Sequence, residues 1–312
     1  MAEATTTQAT TGGYDAPASA APAKPPSAFW RKVRWQALNV FAGAVLLYLF
    51  LPITVIIIFS FNDPAGRFNL TWNQFSLDAW KHPFGVPGLQ HAVELSIGIA
   101  LGATLIATVL GTLMALAIVR YSFRGRSTTN FLVFTPMATP EIVMGSSLLT
   151  LFIAQASLIS LGVWTILIAH IMFCISYVVV TVKARLTGFD LRLEEAAMDL
   201  YANSWRTFRR VTLPLIMPGV AAAAALSFAL SIDDFVVTQF NSGNEVTFPL
   251  FIYGASRNGV PVQVNVIGSA IFGVAVGGMF LNLAYQNRKA KREAAVERRM
   301  VAQAQSAEAH LV

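Results

Sequence analysis

Three acidic side chains lie within or beside long apolar stretches, where a charged group is costly. Glu141 falls near the middle of one stretch, and Asp233 and Asp234 lie near the end of another. A charged side chain at the membrane centre costs about 2.5–3.5 kcal/mol, so it usually faces a cavity or a partner. Carboxylates can replace the hydration that a cation loses on entry, which predicts a cation pathway. Structural roles stay open: a solvated helix end or subunit contact for the Asp pair, and an interhelical hydrogen bond for Glu141.

His170 and Cys174 are the other reactive side chains within an apolar stretch. We expect His170 to be a packed, hydrogen-bonded histidine rather than a metal ligand. A single cysteine excludes an internal disulfide, and we expect Cys174 to be a small buried residue.

The motifs of catalysis are absent from the sequence. None of the six lysines follows a glycine, so the chain cannot supply a phosphate-binding loop. It also lacks HExxH, CxxC and GxSxG patterns. The sequence therefore predicts a non-enzyme with no catalytic residue, no metal site and no cofactor of its own.

Composition indicates the elements that must position these residues. The 312 residues are 55% hydrophobic and 12% charged, with a mean hydropathy of +0.58, which is typical of a multi-spanning membrane protein. Six apolar runs are long enough to cross a bilayer, and unsatisfied backbone groups in lipid require them to be helical. We predict one all-α domain over residues 29–287, with spans at 38–61, 92–119, 130–154, 161–182, 213–235 and 264–284.

Prolines and glycines mark special positions in these spans. We expect helix starts or kinks, rather than breaks, at Pro52, Pro136, Pro140, Pro214 and Pro218. Two glycine pairs spaced by four residues, Gly98 with Gly102 and Gly273 with Gly277, favour close approach of helices.

The basic residues predict the orientation. Of 22 lysines and arginines, 19 lie in the N-terminal segment, the loops after spans two and four, and the C-terminal segment. The opposite side has Arg67, Lys81 and Arg257. Positive charge is retained in the cytosol, so both termini are predicted to be cytoplasmic, and the net charge of +6 needs no acidic partner.

The two ends differ in composition. Residues 1–28 are rich in Ala, Thr, Pro and Ser, and we predict a disordered cytoplasmic tail. The basic and aromatic residues that follow, at 29–35, suit a membrane interface better than nucleic acid. Residues 288–312 form a basic cytoplasmic tail, predicted to extend the last helix or to contact lipid headgroups.

The longest predicted cytoplasmic loop, residues 184–212, has the pattern of two short helices. In the first, Leu193, Ala196, Ala197 and Leu200 share one face. In the second, Ser204 is a plausible N-cap and aromatic residues repeat at helical spacing. A helix lying on the lipid surface is an open alternative for this loop.

The loop contains Glu195-Ala196-Ala197, and Leu213-Pro214 follows it at the start of the next span. In identity and spacing these residues resemble the EAA loop of permease subunits of ATP-binding-cassette (ABC) importers of the MetI-like type. The resemblance implies a coupling loop between spans four and five that docks on an ATP-binding subunit. It assigns the ATPase contact to Glu195, Ala196, Ala197, Asp199, Leu200, Tyr201, Leu213 and Pro214.

One position departs from the family motif, because Tyr201 stands where the family has glycine. A left-handed backbone is strained for a bulky residue, whereas glycine adopts it readily. We therefore expect a different turn, with Asn203 taking the positive φ angle.

Further segments resemble the spermidine and putrescine branch of these permeases. They are residues 140–149, 227–237 and 247–253, which hold Glu141, Ser231, Asp233 and Asp234. The resemblance implies a bacterial inner-membrane importer with an ATP-binding dimer, a second permease and an extracytoplasmic binding protein, with membrane lipid around it and no nucleic-acid partner. ATP and Mg²⁺ would be bound by the partner, and the four residues would line the substrate pathway by alternating access.

Other functions fit parts of the sequence. An importer of iron, thiamine or an anion would share the loop, and an ion-coupled secondary transporter would share the apolar spans and carboxylates. A membrane scaffold without transport would tolerate loss of all three carboxylates.

Overall fold

The structure, a computed structural model, describes residues 28–66 and 68–309. The predicted N-terminal tail lies outside the described residues except for Ala28, as do Arg67 and residues 310–312. The chain divides into two units after Thr54. The described part of the first unit is helical, and every other element lies in the second.

Twelve α-helices make up nearly all the described regular structure. Their bounds are α1 Ala28–Phe59, α2 Asp78–Lys81, α3 Leu89–Arg120, α4 Arg126–Ala138, α5 Glu141–Ala154, α6 Val163–Thr187, α7 Arg192–Asp199, α8 Ser204–Thr207, α9 Leu213–Ile232, α10 Val236–Asn241, α11 Phe248–Asn258 and α12 Val262–Ala309. A π-helical turn, Phe208–Thr212, joins α8 to α9. Two short antiparallel strands, β1 Asn62–Asp63 and β2 Gln74–Phe75, were not predicted.

Five of the described helical segments are long and apolar enough to cross a membrane, and a bent pair, α4 with α5, supplies a sixth if counted as one span. The prediction of an all-α membrane protein with up to six spans is confirmed. Several helices are longer than the predicted spans: α1 begins at Ala28, α6 continues to Thr187, and α12 continues past residue 284 to Ala309. The predicted C-terminal tail is therefore helical as far as it is described.

The predicted third span, 130–154, is wrong as a single helix. The helix direction bends by 109° between α4 and α5. Thr139 is extended, with φ −82° and ψ 132°, because a residue before proline is disfavoured in the helical region. Pro140 follows with ψ 133° and is the N-cap residue immediately before α5, so the helix is broken there rather than kinked. The other four prolines break no helix: Pro52, Pro136 and Pro218 lie inside α1, α4 and α9, and Pro214 is the second residue of α9, which continues directly from a π-helical turn.

The core of the second unit is the packing of α3, α6 and α9 against one another. Small residues on α3 allow it, including Ala103, Ala107 and Gly111, all buried. A Cβ added at Gly111 would lie 2.7 Å from Cβ of Val178, so only glycine lets α6 approach this closely. Of the predicted glycine pairs, only Gly102 has a related role, because a Cβ added there would lie 3.3 Å from Leu167 Cδ1. Gly98, Gly273 and Gly277 have open space beside them.

Candidate functional site

The loop between α6 and α9 folds into an elbow, defined here as residues 192–212. Its first part is α7, with Glu194 and Glu195 in the first turn, where acidic residues complement the helix dipole. Its second part is α8 and the π-helical turn, which continue without interruption into α9. Together they form one candidate span, Ser204–Ile232. The second predicted short helix is therefore the start of span five and not a separate element.

The elbow turns on Tyr201, which itself adopts the left-handed conformation with φ 60°. The backbone N–H of Tyr201 donates to the Met198 carbonyl at 2.9 Å, and that of Ala202 donates to the Ala197 carbonyl at 3.1 Å. This pair of bonds is a Schellman motif, whose left-handed position is usually glycine. Tyr201 thus occupies a position that glycine would adopt with less strain.

The expectation that Asn203 takes the positive φ is wrong, because its φ is −75° and its ψ is 163°. Asn203 is instead the N-cap of α8, and its Oδ1 accepts from the Arg206 backbone N–H at 2.8 Å. That role was predicted for Ser204, one residue further on. Asparagine is at least as good an N-cap as serine, so the sequence alone did not distinguish the neighbours.

The tip of the elbow exposes apolar side chains. Tyr201 is 96% exposed, Leu200 83% and Trp205 68%, and the Trp205 ring stacks on Phe208 with centroids 5.8 Å apart. Of the residues predicted to contact an ATPase, Glu195, Ala196, Asp199 and Pro214 are also exposed, while Ala197 and Leu213 are half-buried. Neighbouring exposed apolar groups of this kind mark an interaction surface.

Glu194 is the acidic residue of the elbow whose side chain bonds to the membrane-spanning helices. The sequence analysis did not single it out. Its carboxylate accepts two hydrogen bonds from the Arg120 guanidinium, at 2.6 and 2.8 Å. It also accepts a hydrogen bond from the Thr212 hydroxyl. The Arg120 guanidinium lies over the Phe189 ring at 5.1 Å. Arg120 and Glu194 are 74 positions apart, so no local pattern in one sequence links them.

A second group of polar residues lies buried where α9 ends and α10 begins. The Thr238 hydroxyl donates to Asp234 Oδ2 at 2.8 Å, and the Thr238 backbone N–H donates to the same oxygen at 2.8 Å. His170 Nε2 lies 2.9 Å from Thr238 Oγ1, and His170 Nδ1 lies 2.7 Å from Ser231 Oγ. A neutral imidazole with its proton on Nε2 satisfies both contacts, since Ser231 then donates to Nδ1. His170 is packed and hydrogen-bonded, as predicted.

The structure separates the four predicted pathway residues. Ser231 and Asp234 belong to the buried group, with residue exposures of 4% and 9%. Asp233 is exposed at the C-terminal end of α9. Glu141 is also exposed, but it is the first residue of α5, beside the break at Pro140, and not inside a straight span. A carboxylate in the first turn of a helix is favoured by the helix dipole, which accounts for its position.

Residues 107–288 match the family described as binding-protein-dependent transport system inner membrane component. The chain is 40% identical over 232 residues to the spermidine/putrescine transport system permease protein PotC of Escherichia coli (strain K12), covering 74% of this chain and 86% of that protein. It is 36% identical over 249 residues to the putrescine transport system permease protein PotI of the same organism, covering 78% and 87%.

Solved structures give the same fold at lower identity. A bacterial ABC transporter involved in the import of the acidic polysaccharide alginate matches with a TM-score of 0.58 at 18% identity, covering 84% of this chain and 99% of the other. The inward-facing MetNI methionine ABC transporter matches with a TM-score of 0.51 at 15% identity, covering 62% and 92%.

Proposed function

Because this chain belongs to the family of binding-protein-dependent transport system inner membrane components, we propose that it is a permease subunit of an ATP-driven importer of polyamines such as spermidine and putrescine. The substrate assignment rests on the 40% identity to a spermidine/putrescine permease across 86% of that protein. The chain is a multi-pass inner-membrane subunit, and it forms one half of a translocation pathway beside a second permease.

The elbow is the contact with an ATP-binding subunit. Its exposed apolar tip, Leu200 and Tyr201, offers surface to bury, and the exposed Glu195 offers charge-assisted hydrogen bonds that fix the register. The small side chains of Ala196 and Ala197 let α7 seat closely in a groove. ATP and Mg²⁺ belong to that partner subunit, which works as a dimer, and this chain performs no chemistry.

The substrate-facing carboxylate at the end of α9 is Asp233, and Asp234 has a positioning role. Asp233 is exposed and free to exchange water for a substrate ammonium group. Asp234 is buried, and one of its carboxylate oxygens already accepts two hydrogen bonds from Thr238. Glu141 offers a second exposed carboxylate, at the break between α4 and α5. An extended polyamine carries several cationic groups, so separated carboxylates suit it better than one cluster.

Transport follows by alternating access. Closure of the ATP-binding dimer draws the elbows together, the packed α3, α6 and α9 move with them, and the pathway opens outward to an extracytoplasmic binding protein. ATP shifts the equilibrium between two arrangements of the same bundle. The elbow lies on the predicted cytoplasmic side, with both termini.

A stimulation assay tests the proposal. The chain is purified with its ATP-binding subunit, second permease and binding protein, and ATP hydrolysis is measured in nanodiscs. We expect hydrolysis to rise when the binding protein carries spermidine, and not when it carries thiamine or an alginate oligosaccharide. Stimulation by one of those solutes instead would assign the importer to another substrate. Failure of the chain to copurify with any ATP-binding subunit would refute the importer itself.

A further inference from the structure

We propose that Glu194 is the positioning residue through which movement of the elbow reaches the membrane spans. This inference rests on the proposed function and concerns a different residue from those assigned to the ATPase contact. It starts from an unusual property of α7: none of its residues is buried. Hydrophobic packing holds α7 on the bundle only weakly, so beyond the continuous chain its connection to the spans depends on polar side chains.

Glu194 supplies that connection to span two. Both of its carboxylate oxygens are engaged by the two terminal nitrogens of Arg120, the last residue of α3, at 2.6 and 2.8 Å. Such a bidentate pair fixes orientation as well as distance. The side chains are 20% and 17% exposed, so water competes for them only in part. The Phe189 ring beneath the guanidinium restricts its remaining freedom.

The same carboxylate is connected to span five. The hydroxyl of Thr212, itself 3% exposed, donates to Glu194 Oε1 from the last position of the π-helical turn. The next residue, Leu213, begins α9, which packs against α3. One side chain of the elbow thus contacts the ends of two neighbouring membrane-spanning helices.

Helix dipoles favour both charges where they stand. Arg120 is at the C-terminus of α3 and Glu194 is in the first turn of α7, the ends that stabilise a cation and an anion respectively. A displacement of α7 by the ATP-binding subunit must therefore move α3 and α9 together or break this pair. Among the described side chains of α7, no other one makes a hydrogen bond or ion pair to α3.

The test measures coupling and not activity alone. The complex is reconstituted in proteoliposomes, and hydrolysis of ATP and uptake of labelled spermidine are measured together. Glu194→Gln keeps the shape and the capacity to accept a hydrogen bond but removes the charge. We expect the number of spermidine molecules taken up per ATP to fall about fivefold or more, as a lost coupling interaction predicts. Arg120→Gln should give the same loss, because it breaks the same pair.

Controls separate coupling from structure. Arg124 is exposed in the predicted cytoplasmic loop that follows Arg120. Arg124→Gln should leave the number of spermidine molecules taken up per ATP unchanged. The exchange Arg120→Glu with Glu194→Arg restores opposite charges but places each at the less favourable helix end and removes the acceptor of Thr212. It should therefore recover part of the ratio that the single variants lose. A wild-type ratio in Glu194→Gln, or an exchange variant that assembles but stays uncoupled, would overturn the inference. A wild-type complex that takes up no spermidine would instead refute the proposed function.

Discussion

Substitutions at Asp233 and Asp234 should separate a transport defect from a stability defect. In Asp234→Ala, the backbone N–H and the hydroxyl of Thr238 both lose an acceptor that lies at 2.8 Å. The hydroxyl can still donate to the backbone carbonyl of residue 234, at 3.3 Å, whereas the N–H is left without an acceptor. An unsatisfied buried donor costs about 1–3 kcal/mol, which is the loss we predict in the free energy of unfolding. Asp233→Asn changes an exposed side chain and should stay within about 0.5 kcal/mol of the wild type.

The assay pairs two measurements on the same samples. Thermal unfolding of the purified permease is followed by tryptophan fluorescence, and spermidine uptake is measured in proteoliposomes and divided by the amount of assembled complex. Asp234→Ala should unfold at a clearly lower temperature. Asp233→Asn should unfold like the wild type and lose uptake. Thr238→Val, which removes the hydroxyl between His170 and Asp234 at nearly constant volume, should be destabilised by a smaller amount.

Either of two results would refute this division of roles. If Asp234→Ala unfolds at the wild-type temperature but loses uptake, Asp234 contacts the substrate and does not have the positioning role proposed for it. If Asp233→Asn transports normally, the exposed carboxylate at the end of α9 is not on the pathway.

Three further substitutions test the elbow and the core. Tyr201→Gly places glycine at a left-handed position, so the unfolding temperature of the purified permease should stay the same or rise slightly. A fall would contradict the Schellman turn. Glu195→Ala should leave membrane insertion intact and let ATP hydrolysis proceed without uptake, whereas unchanged coupled uptake would remove Glu195 from the docking surface. Gly111→Val puts a branched side chain against Val178 and should destabilise the permease by about 1–3 kcal/mol, while Gly98→Ala, with open space beside it, should not; equal unfolding temperatures would contradict the packing of α3 on α6.

The spans could be predicted because each depends on a local property. A run of apolar residues long enough to cross a bilayer must be helical whatever surrounds it, so α3, α6 and α9 agree closely with the sequence. The break at Pro140 was harder, since a proline inside a span can start, kink or break a helix. The residue before a proline is biased towards an extended conformation, as Thr139 shows, but Pro136 follows a residue that stays helical. A Thr-Pro pair alone therefore does not distinguish a break from a kink.

The candidate site was predictable in composition but not in arrangement. The sequence singled out Asp233 and Asp234 equally, because adjacent residues of one type carry the same signal. Their difference arises from His170 and Thr238, which the fold brings to Asp234 alone. Glu194 was missed for a related reason. Its partner Arg120 lies at the end of span two, 74 positions away, and a single sequence gives no information on such distant pairs.

The most direct measurement of the central claim is spermidine uptake by the reconstituted complex with the two possible energy sources separated. ATP is enclosed in the proteoliposomes, with the binding protein and labelled spermidine outside, and an ionophore collapses all ion gradients. The account predicts uptake that continues under these conditions and stops when ATP is replaced by a non-hydrolysable analogue. Uptake that survives ATP depletion while an ion gradient is held, and stops when the ionophore is added, would contradict it.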